Sequence, residues 1–322
     1  VANTALEAGA TWLGVALLEE AIKLRTHGIT APIIAWLTPL HENFEEAINL
    51  NIDLSIPSID HLQAIEAAGQ KMKKKPRVHI EIDTGMTRGG VLGDWDKFLL
   101  ELKNSDVDVI GAWTHFARAD EAENNFTEMQ IENFDKRLAE LRNIGINPKF
   151  VHMANSAAIQ TRSSTHRQIV RLGISMYGLS PDYKLMGSGE SLGLRSAMSL
   201  KGEVHLVKNV PAGAVVGYGG AGITNRDTKL GIITLGYSDG IPRNTNSSAG
   251  VFVAGKRAPI IGRVSMDQFV VDLGPDSVAC SGDIAEVFGP NGYSIDEWAE
   301  ASGTINYEIV TRISSRVPRI YV

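Results

Sequence analysis

The residues best suited to chemistry in this chain stand where apolar runs give way to turns. In Val78-His79-Ile80-Glu81-Ile82-Asp83-Thr84-Gly85-Met86-Thr87-Arg88, the carboxylates Glu81 and Asp83 alternate with Val78, Ile80 and Ile82. As a strand this places both acids on the face opposite the aliphatic side chains. Charges on a strand inside a core are costly unless paired, and Arg88, just past the strand end, is the obvious partner. A charged strand that delivers an arginine to a turn suits the binding of an anion. A solvated edge strand before an ordinary turn also fits this stretch taken alone. Three further stretches share the arrangement: Thr114-His115 with Asp120 beyond it, His152 followed by Asn155-Ser156, and Arg171 followed by Gly173-Ile174. A serine hydroxyl and backbone N–H groups at a helix start suit a phosphate dianion. Arg171 lies within its segment and is placed to meet a ring acceptor. A single buried histidine is usually a satisfied core residue; several polar strand ends in register point instead to a site.

The elements needed to hold these residues are legible as periodicity. Strands are expected at Trp12–Leu17, Pro32–Leu37, Leu54–Pro57, Arg77–Asp83, Val109–His115, Phe150–Asn155 and Val170–Gly173. Amphipathic helical patterns separate them: Leu18–Thr26, Glu42–Leu50, Ile59–Gln70, Trp95–Leu102, Glu128–Leu141 and Ser156–Thr161. Regular βα alternation implies a parallel sheet, and this spacing favours a TIM-type α/β barrel with its active site at the carboxyl ends of the strands. A complete barrel has eight strands. Seven are read here and the chain opens on a helical pattern, so the first strand is expected to be missing from this chain. After about Gly193 the character changes to short β-branched runs between Gly, Pro, Asn and Asp turns, the pattern of a mainly antiparallel β domain. Its strands are expected at Leu200–Val207, Ala214–Gly217, Lys229–Leu235, Gly250–Val253, Ala258–Ile261, Phe269–Leu273 and Ile284–Phe288, with a helix at Ile295–Ala301 and a last strand near Arg316–Val322. The domains are accordingly set at residues 1–192 and 193–322.

Bulk composition excludes several classes of function. The net charge is −6, with 21% charged residues and no basic stripe, which argues against nucleic acid as a partner. No apolar run approaches the roughly 18 residues of a membrane span. Cys280 is the only cysteine, so no internal disulfide framework exists, and a reducing, cytoplasmic compartment is expected. The basic run Lys71-Met72-Lys73-Lys74-Lys75 reads as a solvated loop, and nothing suggests a metal site.

The order and spacing of the polar stretches resemble the alanine racemases, pyridoxal-phosphate enzymes built from a barrel and a β domain. The resemblance runs from Val1 to Val322. It is carried by Asp83-Thr84-Gly85-Met86-Thr87-Arg88, Thr114-His115-Phe116-Ala117, Ala154-Asn155-Ser156-Ala157-Ala158, Arg171-Leu172-Gly173-Ile174-Ser175-Met176-Tyr177-Gly178, Gly217-Tyr218-Gly219, Gly236-Tyr237-Ser238-Asp239-Gly240, Gly262-Arg263-Val264-Ser265-Met266-Asp267-Gln268 and Arg316-Val317-Pro318-Arg319. It implies that Ser156, Gly173 and Ile174 hold the phosphate of pyridoxal 5'-phosphate, that Arg171 faces its pyridine nitrogen, and that His152 belongs to the same set. It implies further that Arg88 and the Met266 N–H bind the substrate carboxylate. Tyr218 would be one of two catalytic bases, supported through His115 by the charge of Arg171. Asp120, Tyr237, Arg243, Arg263 and Asp267 match a polar entrance. The tyrosine in this family comes from the partner subunit, so a homodimer with shared sites is implied.

Three departures stand out. Members of the family often place a carbamylated lysine where this chain has Glu81, which is expected to orient Arg88 unaided. Some carry a tyrosine at the position of Ser315. The lysine that holds the cofactor covalently, on the first barrel strand, has no counterpart among these residues, so the chain is expected to be part of a longer enzyme. The implied reaction is interconversion of L- and D-alanine, supplying D-alanine for peptidoglycan. The alternatives are a serine or broad-specificity amino-acid racemase, a decarboxylase of the same fold, and a non-catalytic cofactor-binding module.

Overall fold

A computed structural model describes residues 1–322 and divides them into two compact units, Val1–Gly173 and Ile174–Val322. The first unit is a sequential α/β array. Its strands are β1 (Leu13–Leu17), β2 (Ile33–Leu37), β3 (Asp53–Ile56), β4 (Arg77–Glu81), β5 (Asp108–Trp113) and β6 (Phe150–His152), joined side by side in that order and all parallel. Helices α1 (Ala2–Glu7), α2 (Leu18–Thr26), α3 (Phe44–Asn49), α4 (Ile59–Met72), α5 (Trp95–Asn104), α6 (Phe126–Asn143) and α7 (Ser156–Thr161) precede or connect them. The sheet curls: Trp12, just before β1, packs edge-on against Phe150 at the start of β6, with ring centroids 4.9 Å apart. It meets the ring of His79 on β4 at 5.4 Å. This is the curved parallel sheet expected of a TIM-type barrel.

Local sequence accounts for most of these elements. In α4, Ser58 caps the first turn by accepting the His61 N–H at 3.4 Å, and Leu62, Ile65 and Gly69 are buried along one face. The helix stops at Lys73, which adopts the left-handed conformation with φ 51°. In β4 the residues Val78, His79 and Ile80 are all buried, as a strand covered on both faces requires.

Val170–Gly173, expected as a seventh strand, is not one. The chain meets β6 just before it, through an isolated bridge between His152 and Ile169. The reason lies in its backbone donors: Arg171 N donates to Ala154 O at 2.9 Å and Gly173 N to Ser156 Oγ at 2.9 Å. Those bonds hold the segment against the β6–α7 turn in place of a ladder.

The second unit contains the antiparallel strands β7 (Leu200–Val210), β8 (Val215–Val216), β9 (Gly222–Ile223), β10 (Thr228–Ile233), β11 (Gly250–Val253), β12 (Lys256–Pro259), β13 (Phe269–Asp272) and β14 (Ile284–Phe288). One six-stranded sheet runs in the order β12-β11-β14-β7-β10-β13, and β8 and β9 form a separate ribbon. Helices α8 (Tyr183–Met186), α9 (Ile295–Ala301) and α10 (Asn306–Arg312) complete the unit. Val204, Ile233, Phe269, Val287 and Trp298 form the centre of its core. The Trp298 indole N–H donates to Val287 O at 2.6 Å, so the largest core residue carries no unsatisfied donor.

Residues 174–192 pack with the second unit: Asn306 Nδ2 donates to Ser180 O at 2.9 Å, and the Tyr183 hydroxyl bonds Glu300 at 2.7 Å. One expectation changes here. Arg316–Val322 forms no strand. The Arg319 guanidinium instead turns back onto the carbonyls of Ile313 and Val317, at 2.7 and 2.6 Å, and Pro318 beside it lacks a ladder donor.

Candidate active site

The carboxyl ends of β4, β5 and β6 bring together most of the polar residues singled out from the sequence. A small cleft is lined by Glu81, Asp83, Met86, Arg88, Thr114 and His115, among others. The loop that delivers Arg88 is built by Asp83, whose Oδ1 accepts the N–H groups of Gly85 at 2.9 Å and Thr87 at 3.1 Å. This local turn leaves Arg88 exposed at the rim.

Glu81 is not the simple anion its side chain suggests. Burial pushes its carboxyl up to about 7, against the opposing pull of Arg88 and Arg171, with Asp83 adding to the rise. Arg88 acts on it through space, without closing into a direct ion pair. The carboxylate lies instead against the turn at Gly89, where an added Cβ would come within 2.9 Å of Oε1.

Arg171 is the hub of the site. Its Nη2 donates to Thr114 O at 2.7 Å and Met153 O at 3.2 Å, and approaches His115 Nδ1 at 3.4 Å. Its Nη1 lies 3.1 Å from His152 Nδ1. The guanidinium also lies over the Trp113 ring, 5.0 Å from its centroid. Burial lowers its pKa to about 10, so it remains a cation at neutral pH. His115 is lowered to about 3 by burial, with Arg171 and Arg88 adding to the effect, and is a neutral imidazole. An arginine can only donate, so His115 Nδ1 accepts and its proton sits on Nε2.

Ser156, buried at the start of α7, accepts the Gly173 N–H, and Asn155 caps the same helix by accepting Ala158 N at 3.0 Å. A Cβ at Gly173 would meet nothing closer than Ser156 Oγ at 3.5 Å, so the backbone is open to a bound group there. A hydroxyl beside an open backbone fits a phosphate. Arg171 bonds through Nη1 and Nη2 and keeps Nε for a ring acceptor. The residues present thus fit the phosphate and ring of a pyridoxal cofactor.

The other candidates lie in the second unit. Tyr218 opens a short turn in which Gly217, Gly219 and Gly220 all have positive φ, and its side chain is 69% exposed. The Arg263 guanidinium borders this turn, 3.2 Å from where a Cβ on Gly219 would lie. Met266 is exposed, and its carbonyl accepts Ser238 N at 2.9 Å, while Tyr237 N donates to Ser265 O at 3.1 Å. Asp267 is held by Arg316 at 2.8 Å. Arg243 is exposed and Ile174 buried, and Asp120 sits half-buried in the turn after β5 in the first unit.

Sequence reasoning missed Gln130, Asp53 and the bonding of His79. Gln130 on α6 is fully buried and ties the rim together: Nε2 donates to Thr84 Oγ1 and His115 O, both at 3.0 Å, and Oε1 accepts Ala117 N at 3.0 Å. Only its place as a polar residue on a buried helix face hinted at this.

The chain thus joins a parallel α/β unit, with a cationic rim at its strand ends, to an antiparallel β unit. Residues 1–181 match the family model "Alanine racemase, N-terminal domain" and residues 197–321 match "Alanine racemase, C-terminal domain". The chain therefore belongs to the alanine racemase family, whose cofactor is pyridoxal 5'-phosphate. It is 46% identical to an alanine racemase of Salinispora arenicola, covering 99% of this chain and 87% of that protein. To one of Thermobifida fusca it is 44% identical, over 99% of this chain and 86% of that protein. Among solved structures, alanine racemase from a D-cycloserine-producing Streptomyces lavendulae superposes with a TM-score of 0.96 at 42% identity, covering 100% of this chain and 86% of that one. The Bacillus anthracis enzyme with bound L-Ala-P gives 0.89 at 37%, covering 100% and 83%.

Proposed function

We propose that this protein interconverts L- and D-alanine by pyridoxal-phosphate-dependent racemisation. The observation that carries the reading is the Arg171 hub: one buried cation that binds His115 and His152 beside an open Ser156–Gly173 cradle, in a chain of this family. Pyridoxal phosphate, when bound, supplies the electron sink that makes a substrate's α-proton removable. The protein's part is to bind, orient and move protons.

In this reading Arg88 and the Met266 N–H hold the substrate carboxylate and so fix the α-carbon. Ser156 with the backbone at Gly173 and Ile174 holds the phosphate. Arg171 presents a donor to the ring nitrogen and, being positively charged, disfavours a proton there. Tyr218 Oη takes and returns the α-proton on one face. The His115 Nε2–H, whose tautomer follows from the Arg171 contact, is a donor able to stabilise the phenolate. Asp120, Tyr237, Arg243, Arg263 and Asp267 form the polar approach. The active unit is a cytoplasmic homodimer in which Tyr218 serves the partner's Arg88 site, and its D-alanine feeds peptidoglycan synthesis.

Turnover of L-alanine, L-serine and L-lysine by the cofactor-loaded protein tests the substrate. D-Alanine formation fastest of the three is expected; faster turnover of lysine would move the protein to the broad-specificity racemases.

A further inference from the structure

Beneath the rim, a row of buried polar side chains runs through the interior of the first unit. Arg171 Nη1 lies 3.1 Å from His152 Nδ1, and His152 Nε2 lies 2.9 Å from His79 Nδ1. His79 Nε2 then faces Asp53 Oδ2 at 4.0 Å. Asp53 is itself paired with Arg77, whose Nε is 2.7 Å from Oδ1. Asp53, His79 and His152 are all at most 2% exposed.

The two ends of this row have opposite hydrogen-bonding character. Arginine has no acceptor, so His152 Nδ1 must accept, which puts the His152 proton on Nε2. His79 Nδ1 must then accept as well, which puts the His79 proton on Nε2. That N–H is buried with no hydrogen-bond partner, and the nearest charged acceptor is the Asp53 carboxylate. With either ring reversed, a donor would face a donor somewhere along the row. Burial keeps both rings neutral, so a doubly protonated ring cannot resolve such a clash.

The rings are also fixed in place. An added Cβ at Gly111 would lie 1.9 Å from His79 Nδ1, so only glycine lets β5 pass this close. Trp12 closes on the same ring from its edge, and Trp113 stacks on His152 with an interplanar angle of 5°.

The geometry points to Asp53 as a positioning residue: its carboxylate faces the His79 Nε2–H and stabilises, from the far end of the row, the same tautomers that the Arg171 contact requires, so that His152 keeps an acceptor toward Arg171. Asp53 touches neither substrate nor cofactor and acts through the two imidazoles. The consequence for the ring nitrogen rests on the function proposed above; the tautomers themselves do not.

The test is the protonation state of each histidine nitrogen, read by NMR on the 15N-histidine-labelled protein and assigned with His79→Gln and His152→Gln. The expected result is the Nε2–H tautomer for both residues, a measurement that needs no variant of Asp53 and no turnover. Asp53→Leu, close in size but without an acceptor, is expected to give a mixture of tautomers at His79 and His152, the reversed fraction losing the His152–Arg171 contact. Arg77→Lys, which keeps a cation beside Asp53 and so keeps its carboxylate ionised, is expected to leave both unchanged. An Nδ1–H tautomer at either residue in the wild-type protein would overturn the assignment. So would unchanged tautomers in Asp53→Leu, or an equal disturbance in Arg77→Lys, which would make the guanidinium's own bonds the cause. Absence of racemase activity would defeat the proposed function and leave these outcomes readable.

Discussion

At the scale of single residues, Glu81 carries the sharpest expectation. Sequence places a carboxylate beside Arg88 and implies a ready-made anion; burial raises its pKa to about 7, so it is only part-ionised at neutral pH. The sign follows from that. Below about 7 the neutral acid exerts no pull on Arg88, and above it the anion holds the guanidinium for a substrate carboxylate. KM for alanine is therefore expected to fall several-fold as the pH rises between about 6 and 8. Glu81→Gln should hold KM at its low-pH value throughout this range and lower kcat. Steady-state kinetics across the range check both, and an unaltered pH profile in the variant would remove Glu81 from substrate binding. The residue types of this site were readable in order, because strand ends and turns announce themselves locally. Their protonation was not, because it depends on burial and on charges brought from distant parts of the chain.

At the scale of elements, the rim depends on α6 as much as on the strands. Gln130 links the β4 and β5 loops through bonds to Thr84, His115 and Ala117. Replacing it with alanine leaves buried groups on both loops unsatisfied, at a cost of about 2 kcal/mol in unfolding free energy. Urea denaturation measures that loss, and a rise in KM is expected with it because the Arg88 loop loses support. A change confined to stability would show that the loop holds its shape without the clasp. Alternation and amphipathic periodicity were enough to find all six strands of the sheet and the helices that cover them. They failed at Val170–Gly173 and at Arg316–Val322, where side-chain and turn bonds replace the ladder that the local apolar pattern predicts. The helix Asn306–Arg312 escaped notice because its buried residues, Asn306 and Ile309, mark no clear apolar stripe.

At the scale of the whole molecule, the proposed shared-site dimer has a distinctive consequence. Arg88 lies in the first unit and Tyr218, exposed on its glycine turn, in the second. If each site draws the two residues from different subunits, inactive Arg88→Ala and Tyr218→Phe homodimers should complement each other after dissociation and remixing. Random pairing gives heterodimers in which one site of two is intact, so activity should return to about a quarter of wild type. No recovery, with mixed dimers demonstrated, would mean that each subunit completes its own site. This arrangement was accessible from the sequence only through the family resemblance, since no local pattern reveals which copy a side chain serves.

The central claim, racemisation with Tyr218 as a base, is tested most directly by following L-alanine in D2O with the cofactor-loaded protein. The wild type is expected to yield D-alanine carrying deuterium at the α-carbon. Tyr218→Phe should slow its formation by a factor on the order of 10²–10⁴ with the fold unchanged. D-Alanine appearing at the wild-type rate in that variant, or no α-deuterium in the product of the wild type, would contradict it.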